Sequence, residues 1–168
     1  LLALKKRKHS YTGFLYTGLM IKNNEPYLIE YNVRMGDPEC QVILPRIKTD
    51  FLEIINLAVQ NKLNKIKINW LKKKCMTIVM CSQGYPKKYL KNKKIKGLSN
   101  LKLSKNSFIF HAGTKSKNKE IFSNGGRVLN VVSMGNSFSV IRKNILRILK
   151  KINWKYGFFR RDIGWRVT

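Results

Sequence analysis

The chain has 168 residues, enough for one substantial hydrophobic core or two small ones. Its 35 Lys and Arg residues against 8 Asp and Glu give a net charge of +27, which favours polyanionic partners. The cations are spread along the whole chain among many Asn and Ile residues. That mixture is typical of an A/T-rich coding sequence, so we do not expect nucleic acid as the partner.

Cysteine usage and hydropathy indicate the compartment. Cys40, Cys75 and Cys81 fit no zinc spacing, and an odd number does not suit a disulfide framework. No apolar run reaches the roughly 18 residues of a transmembrane helix. We therefore expect a protein of the reducing cytoplasm with no membrane partner.

The first 68 residues predict a β-hairpin followed by a helix. Aromatic and β-branched residues indicate strands at Tyr11–Ile21 and Tyr27–Val33, joined by a turn at Lys22–Pro26. Apolar residues at helical spacing predict a helix over Phe51–Asn61, with Asp50 as its N-cap. The polar, basic stretch that follows places a domain boundary near residues 64–72, which divides the chain into residues 1–68 and 69–168.

The second part predicts a mainly antiparallel sheet with one amphipathic helix, so the fold class is α+β. Its predicted elements are strands at Cys75–Ser82, Ser107–Gly113, Glu120–Phe122 and Arg127–Met134, a turn at Lys115–Lys119, and a helix from Ser137, as its cap, to about Ile152.

Polar residues alternate along the second predicted strand and just beyond it. Glu30, Asn32 and Arg34 share one parity, and residues two apart in a strand point to the same face, about 7 Å apart. A carboxylate and an amide oxygen suit Mg²⁺, and an arginine can hold phosphate bidentately. The same alternation also occurs on solvated strand faces, and Arg34 could instead pair with Asp37 or Glu39.

At this stretch the chain resembles the glycinamide ribonucleotide synthetase (phosphoribosylamine–glycine ligase) family of ATP-grasp ligases. The matching segments, in family order, are YTGFLYTGLMI at 11–21, LIEYNVRMGDPECQVILPR at 28–46, QGYP at 83–86, FHAGT at 110–114, NGGRVLNV at 124–131 and FFRRDIGWR at 158–166. The resemblance implies the C-terminal portion of an ATP-grasp domain, with a β-hairpin and helices, followed by a small antiparallel domain.

The resemblance also implies an activity and residue roles. The family joins glycine to 5-phosphoribosylamine with ATP, through glycyl phosphate, in purine biosynthesis. Glu30 and Asn32 would then ligate Mg²⁺ or Mn²⁺, and Arg34 would stabilise the transferring phosphoryl group. Gly36 and Asp37 would bind substrate, with Asp37 holding the ammonium group of glycine; a plain Gly-Asp-Pro turn is the alternative for Asp37.

The other polar candidates have structural explanations. His111 has no acidic or cysteine partner nearby in sequence, which favours a hydrogen-bonded structural histidine. Gly125, Gly126 and Arg127 could approach a phosphate or form a tight turn. Arg160, Arg161 and Asp162 predict an ion-paired corner packed on Trp165, or an aromatic tail that stacks bases.

The resemblance covers only the C-terminal part of the family's chain. The substrate domain and the lobes that carry the adenine pocket would precede residue 1, so we expect this chain alone to lack ligase activity. A partial sequence, a product that works with a separate N-terminal half, and a decayed remnant all remain open. A basic nucleic-acid-binding module and a non-catalytic structural subunit are the alternative functions.

Overall fold

The computed structural model describes residues 2–168, and these form two compact units. The first unit contains residues up to Cys40 and Arg46–Leu71, and the second contains Gln41–Pro45 and Lys72–Thr168. The helices are α1 (Leu2–Lys6), α2 (Cys40–Ile43), α3 (Phe51–Val59) and α4 (Phe138–Lys151). The strands are β1 (Tyr16–Lys22), β2 (Glu25–Asn32), β3 (Lys74–Ser82), β4 (Lys94–Ile95), β5 (Ser107–His111), β6 (Thr114–Lys117), β7 (Glu120–Ser123), β8 (Arg127–Gly135) and β9 (Gly157–Phe158).

The first unit is built on the hairpin of β1 and β2. Asn23 and Asn24 form its two-residue turn, and both have positive φ, a conformation that asparagine tolerates and that suits the twist of a hairpin. The predicted first strand was too long at its start: the structure leaves residues 11–15 outside β1. Gly13 has φ of +150°, a conformation that L side chains rarely adopt and that lies away from strand geometry.

Helix α3 follows the hairpin and is capped as predicted. The carboxylate of Asp50 accepts hydrogen bonds from the backbone N–H groups of Leu52 and Glu53 at 2.8 and 3.3 Å. This satisfies two donors that have no partner within the helix. The helix ends at Val59, two residues before the predicted end, and Asn61 then adopts a positive φ.

The second unit holds the hydrophobic core. Its main sheet has the order β5-β8-β3-β9, and a smaller sheet has the order β4-β7-β6; all pairs are antiparallel. Met76, Ile78 and Met80 of β3 are buried at alternate positions, as a strand with one face in the core requires. Ile141, Ile145 and Leu149 of α4 belong to the same apolar cluster, and their spacing places them on one face of the helix.

One local prediction in this unit was wrong, and a second was confirmed only in part. Lys115–Lys119 was expected to be a turn, but Thr114–Lys117 forms β6 and only Asn118 and Lys119 turn, both with positive φ. The paired register of Lys117 with Glu120 closes a two-residue hairpin there. Ser137 occupies the N-cap position of α4, but its side chain makes no capping hydrogen bond.

The expected fold class is confirmed: the chain is a mixed α and β protein with antiparallel sheets. None of the helices in residues 2–168 is both long enough and apolar enough to cross a bilayer.

We expect Ile145→Ala to lower the free energy of unfolding of this unit by about 2–5 kcal/mol, because truncation of a fully buried isoleucine leaves a cavity. Denaturant unfolding followed by circular dichroism measures the change. Val140→Ala on the same helix is the control, since Val140 is 58% exposed and its truncation should cost under about 0.5 kcal/mol. Equal losses for the two variants would contradict the assignment of the core.

Candidate metal and phosphate site

Strand β2 brings Glu30 and Asn32 to one face of the hairpin. They are two residues apart within one strand, so their side chains project to the same side about 7 Å apart. On β1, Gly18 lies opposite Glu30 and Tyr16 lies opposite Asn32. Glu30 is exposed and Asn32 is half-buried, so the carboxylate is accessible to solvent and the amide is partly enclosed.

Gly18 gives the Glu30 side chain its room. A Cβ atom on Gly18 would lie 3.1 Å from Cγ of Glu30, tighter than an ordinary van der Waals contact. The Glu30 side chain therefore lies across the backbone of Gly18, and a larger residue there would require the Glu30 side chain to shift.

The side-chain amide of Asn32 is the best indication that this face can bind a ligand. Its Nδ2 atom is buried and has no hydrogen-bond partner within residues 2–168, and an unpaired buried donor costs about 1–3 kcal/mol. A phosphate oxygen could accept this hydrogen bond while the amide oxygen faces a cation. The carboxylate of Glu30 and the amide of Asn32 are thus a donor set that fits a magnesium–phosphate group.

Arg34 does not extend the row in the predicted way. Strand β2 ends at Asn32, and Arg34 lies in an exposed bend beyond it. Its Nη1 donates a hydrogen bond to the carbonyl oxygen of Met35 at 3.0 Å. The alternation of side chains that holds within a strand therefore orders only Glu30 and Asn32, and the position of Arg34 depends on the bend.

A second carboxylate, that of Glu39, lies near this face; the sequence suggested it only as a possible partner of Arg34. The Tyr16 hydroxyl donates a hydrogen bond to Oε1 of Glu39 at 3.3 Å. The negative charge of Glu39 raises the pKa of Tyr16 above its usual value, with smaller contributions from desolvation, the hydrogen bond to Glu39 and the charge of Glu30; Arg34 acts in the opposite direction. Charged groups from β2 and from the following loop therefore act together on the pKa of Tyr16.

Gly36 allows the loop after β2 to bring Glu39 close to Tyr16. It is buried, and a Cβ atom there would lie 2.4 Å from Oε2 of Glu39 and 3.0 Å from Cε2 of Tyr16. Asp37 follows in a turn and is half-buried. A register shift between Gly18 and Leu19 places Tyr16 opposite Asn32, so residue counting back from the hairpin turn would have missed this position. The bond of Tyr16 to Glu39 depends on the loop geometry.

No cluster of three or more His, Cys, Asp or Glu side chains suited to a metal ion occurs in the described part of the chain. A cation here would therefore depend on one carboxylate, one amide oxygen and ligands from outside the chain. Mg²⁺ commonly binds in this way, through one or two carboxylates, several waters and substrate phosphates.

The remaining candidates have protein neighbours. His111 Nδ1 lies 3.0 Å from Oγ1 of Thr114. A Cβ atom on Gly126 would lie 2.2 Å from the Tyr85 ring, so this glycine makes room for an aromatic side chain. Arg160 forms an ion pair with Asp162, whereas Trp165 is 61% exposed and does not form the predicted packed corner.

The comparisons with known proteins cover both units. The family profile described as phosphoribosylglycinamide synthetase, C domain, matches residues 75–166. The profile described as phosphoribosylglycinamide synthetase, ATP-grasp (A) domain, matches residues 1–40, which include Glu30 and Asn32. The chain belongs to the phosphoribosylglycinamide synthetase family.

Individual relatives of this family agree with the assignment. The chain is 44% identical over 162 residues to a phosphoribosylamine–glycine ligase of Fusobacterium nucleatum and 42% identical over 162 residues to one of Caldanaerobacter subterraneus. Each match covers 96% of this chain and 38% of the relative. The structure is similar to a crystal structure of phosphoribosylamine–glycine ligase from Thermotoga maritima, with a TM-score of 0.78 and 30% identity over 96% of this chain and 39% of that one. The chain therefore spans under two-fifths of the length of these curated relatives.

The interaction of Tyr16 with Glu39 can be tested by measuring the pKa of Tyr16. A raised pKa means that the protonated phenol stabilises the fold below the ordinary tyrosine pKa of about 10, and that this contribution disappears as the pH rises through the higher folded-state value. We expect Glu39→Gln to lower the pKa of Tyr16 towards 10. Ultraviolet titration of the ionised phenols, with Tyr16→Phe to assign the signal, measures it.

Glu25→Gln is the matched control for that titration, because Glu25 lies at the far end of β2. It should leave the pKa of Tyr16 unchanged. If Tyr16 titrated at the same pH in Glu39→Gln as in the unsubstituted chain, the interaction with Glu39 would be refuted.

Proposed function

We propose that this chain provides part of the ATP site and the C-terminal domain of a phosphoribosylamine–glycine ligase that acts in purine biosynthesis in the cytoplasm. Residues 1–68 would form the portion of the ATP-grasp domain and residues 69–168 the C-terminal domain. The separation of the structure after Leu71 and the order of the two family matches support this division.

In the proposed reaction a carboxylate oxygen of glycine attacks the γ-phosphorus of ATP and ADP leaves. The amine of 5-phosphoribosylamine then attacks the acyl carbon of glycyl phosphate, the amide bond forms and phosphate leaves. Both steps place negative charge on phosphate oxygens. The chain must therefore supply groups that orient and neutralise these oxygens.

One observation carries the proposal. The carboxylate of Glu30 and the amide of Asn32, whose buried Nδ2 atom has no hydrogen-bond partner within residues 2–168, project from the same face of one strand within the segment that matches the ATP-grasp domain. Glu30 and Asn32 would hold Mg²⁺ or Mn²⁺, which neutralises phosphate charge when bound. The Asn32 amide nitrogen would donate to a phosphate oxygen. Arg34 is exposed two residues further on, and its guanidinium could exchange the bond to Met35 for one to the transferring phosphoryl group.

Gly36 and Asp37 are the proposed substrate-binding residues. An aspartate beyond the strand end could hold the ammonium group of glycine and leave the carboxylate of glycine directed towards the phosphate. Asp37 is half-buried in its turn, where a charge interaction is screened less than on an open surface.

The exposed apolar surface of the hairpin is an argument for a further partner, a separate N-terminal half of the ligase. Eight large apolar side chains on or next to β1 and β2 are at least half exposed: Leu19, Met20, Ile21, Tyr27, Leu28, Ile29, Tyr31 and Val33. They lie on both faces of the hairpin, whereas a strand with one solvated face normally alternates apolar and polar residues. A two-stranded hairpin is marginally stable by itself, so a covering partner would bury this apolar surface.

The catalytic part of the proposal is tested in a chimera. This chain replaces the matching region of the Fusobacterium nucleatum relative, which is 44% identical to it, and ADP release that depends on glycine and 5-phosphoribosylamine is measured. Glu30→Gln should reduce turnover by more than about 100-fold, since even groups that only orient metal ligands contribute about 10- to 100-fold. Glu25→Gln is the control on the same strand and should stay near full activity.

An active chimera that tolerates Glu30→Gln would disprove the metal assignment while leaving the family reaction intact. An inactive chimera whose two halves fold together would contradict the proposed activity itself. The two failures are therefore distinguishable.

The partner proposal is tested by co-expression of this chain with the separate N-terminal region of the same relative. We expect the two polypeptides to co-purify, and we expect Ile29→Asp to abolish the complex because Ile29 is 62% exposed on the hairpin. Val140→Asp, a matched change on the exposed face of α4, should leave it intact. Co-purification that survives Ile29→Asp would show that the hairpin is not the contact surface.

A further inference from the structure

A cavity of about 990 Å³ lies along α4 and the C-terminal tail, entirely within the second unit. Five of its nine lining residues are cationic: Arg142, Lys143, Arg147, Lys150 and Arg161. None of the nine is Asp or Glu, and only 35 of the 168 residues in the chain are Lys or Arg. The cavity is therefore richer in positive charge than the basic composition alone would give.

A smaller cavity of about 160 Å³ extends this surface. It shares Arg147 with the first cavity and adds Lys102 and Lys151, again with no carboxylate in its lining. Arg147 thus lines both cationic cavities. We call the two together the α4 groove.

Neighbouring interactions leave most of these cations unneutralised. Asp162, the acidic residue of the tail, is paired with Arg160. Arg142 has a structural role, because its guanidinium donates hydrogen bonds to the backbone carbonyl oxygens of Ile163 and Arg161. These bonds fasten the tail to α4 and bring Arg161 to the wall of the groove.

The helix arranges the open cations in a row. Lys143, Arg147 and Lys150 are separated by four and three residues, which places them on one face of α4. At 1.5 Å per residue the row is about 10 Å long, so it can face more than one phosphate of a nucleic-acid strand. A cation in the last turn of a helix is stabilised by the helix dipole, which is enough to explain Lys150. Lys143 and Arg147 lie further from that end, so the dipole explains them less well.

We propose that the α4 groove binds a chain of phosphodiester groups, as in a single strand of nucleic acid. One phosphate group would be matched by two cations. The four lining cations other than Arg142, which are Lys143, Arg147, Lys150 and Arg161, would therefore be matched by several phosphates held at intervals. Phe159, which is half-buried in the wall, provides an apolar surface on which a base can lie. This site is separate in the sequence from Glu30 and Asn32, and its occupation does not depend on the ligase reaction.

The test uses the full 168-residue chain and a labelled single-stranded RNA oligonucleotide of mixed sequence. Binding is measured by fluorescence anisotropy across a range of salt concentrations. The double variant Lys143→Gln/Arg147→Gln should weaken binding by at least about tenfold and reduce the log–log salt slope by about 1.4, since each lost phosphate contact contributes about 0.7 for a single strand. The matched control is Lys115→Gln/Lys117→Gln, which removes the same charge from exposed positions on β6 and should change binding less than twofold.

Two further experiments test which class of phosphate compound binds and where on the chain it binds. ATP and pyrophosphate, at equal phosphate concentration, should compete poorly with the oligonucleotide. Lysine acetylation read by mass spectrometry should show Lys143 and Lys150 protected by RNA more than Lys115 and Lys117.

Equal weakening by the two double variants would overturn the proposal, because the affinity would then arise from total charge. So would the absence of preferential protection at Lys143 and Lys150. Competition by ATP as effective as by RNA would assign the groove to small phosphate compounds and overturn the assignment to nucleic acid.

Discussion

The antiparallel pairing of β3 with β8 beneath α4 is the interaction on which most of the folded structure depends. It brings together Ile78 and Val131, which are directly opposed in register and almost fully buried. Of the fifteen buried hydrophobic side chains among residues 2–168, fourteen belong to the second unit and only Ile54 belongs to the first. The burial of apolar surface that drives folding is therefore concentrated at one end of the chain.

The proposed chemistry lies in the part of the chain with little core. Glu30 and Asn32 are fixed by the hairpin register, and Gly18 and Gly36 leave room for the carboxylates of Glu30 and Glu39. These contacts order the polar face, but the apolar residues of the same hairpin remain largely exposed. A catalytic site must hold its groups in place to lower a barrier, so a partner that covers the hairpin, as proposed above, would also stiffen this site.

Positive charge has two distributions in this molecule. Along the sequence it is nearly even, which explains why nucleic acid was not the expected partner despite the net charge of +27. In the folded second unit, α4 and the tail bring five cations around one cavity while Asp162 is paired with Arg160. The same residues that look like a compositional bias in the chain become a local field in the fold, because helical spacing and the Arg142 contacts place them together.

The sequence by itself determined the family, the α+β class, the hairpin, the cap of α3 by Asp50 and the amphipathic face of α4. These features depend on local periodicity, on capping chemistry and on motif order, all of which are readable over a few residues. The roles of Glu30, Asn32, Arg34, Gly36 and Asp37 stay predictions. Only the tertiary structure decided that Arg34 lies in a bend and bonds to Met35, that residues 114–117 form a strand, and that Tyr16 bonds to Glu39. Each of these depends on backbone direction and on partners distant in sequence, which a local pattern of residue types cannot specify.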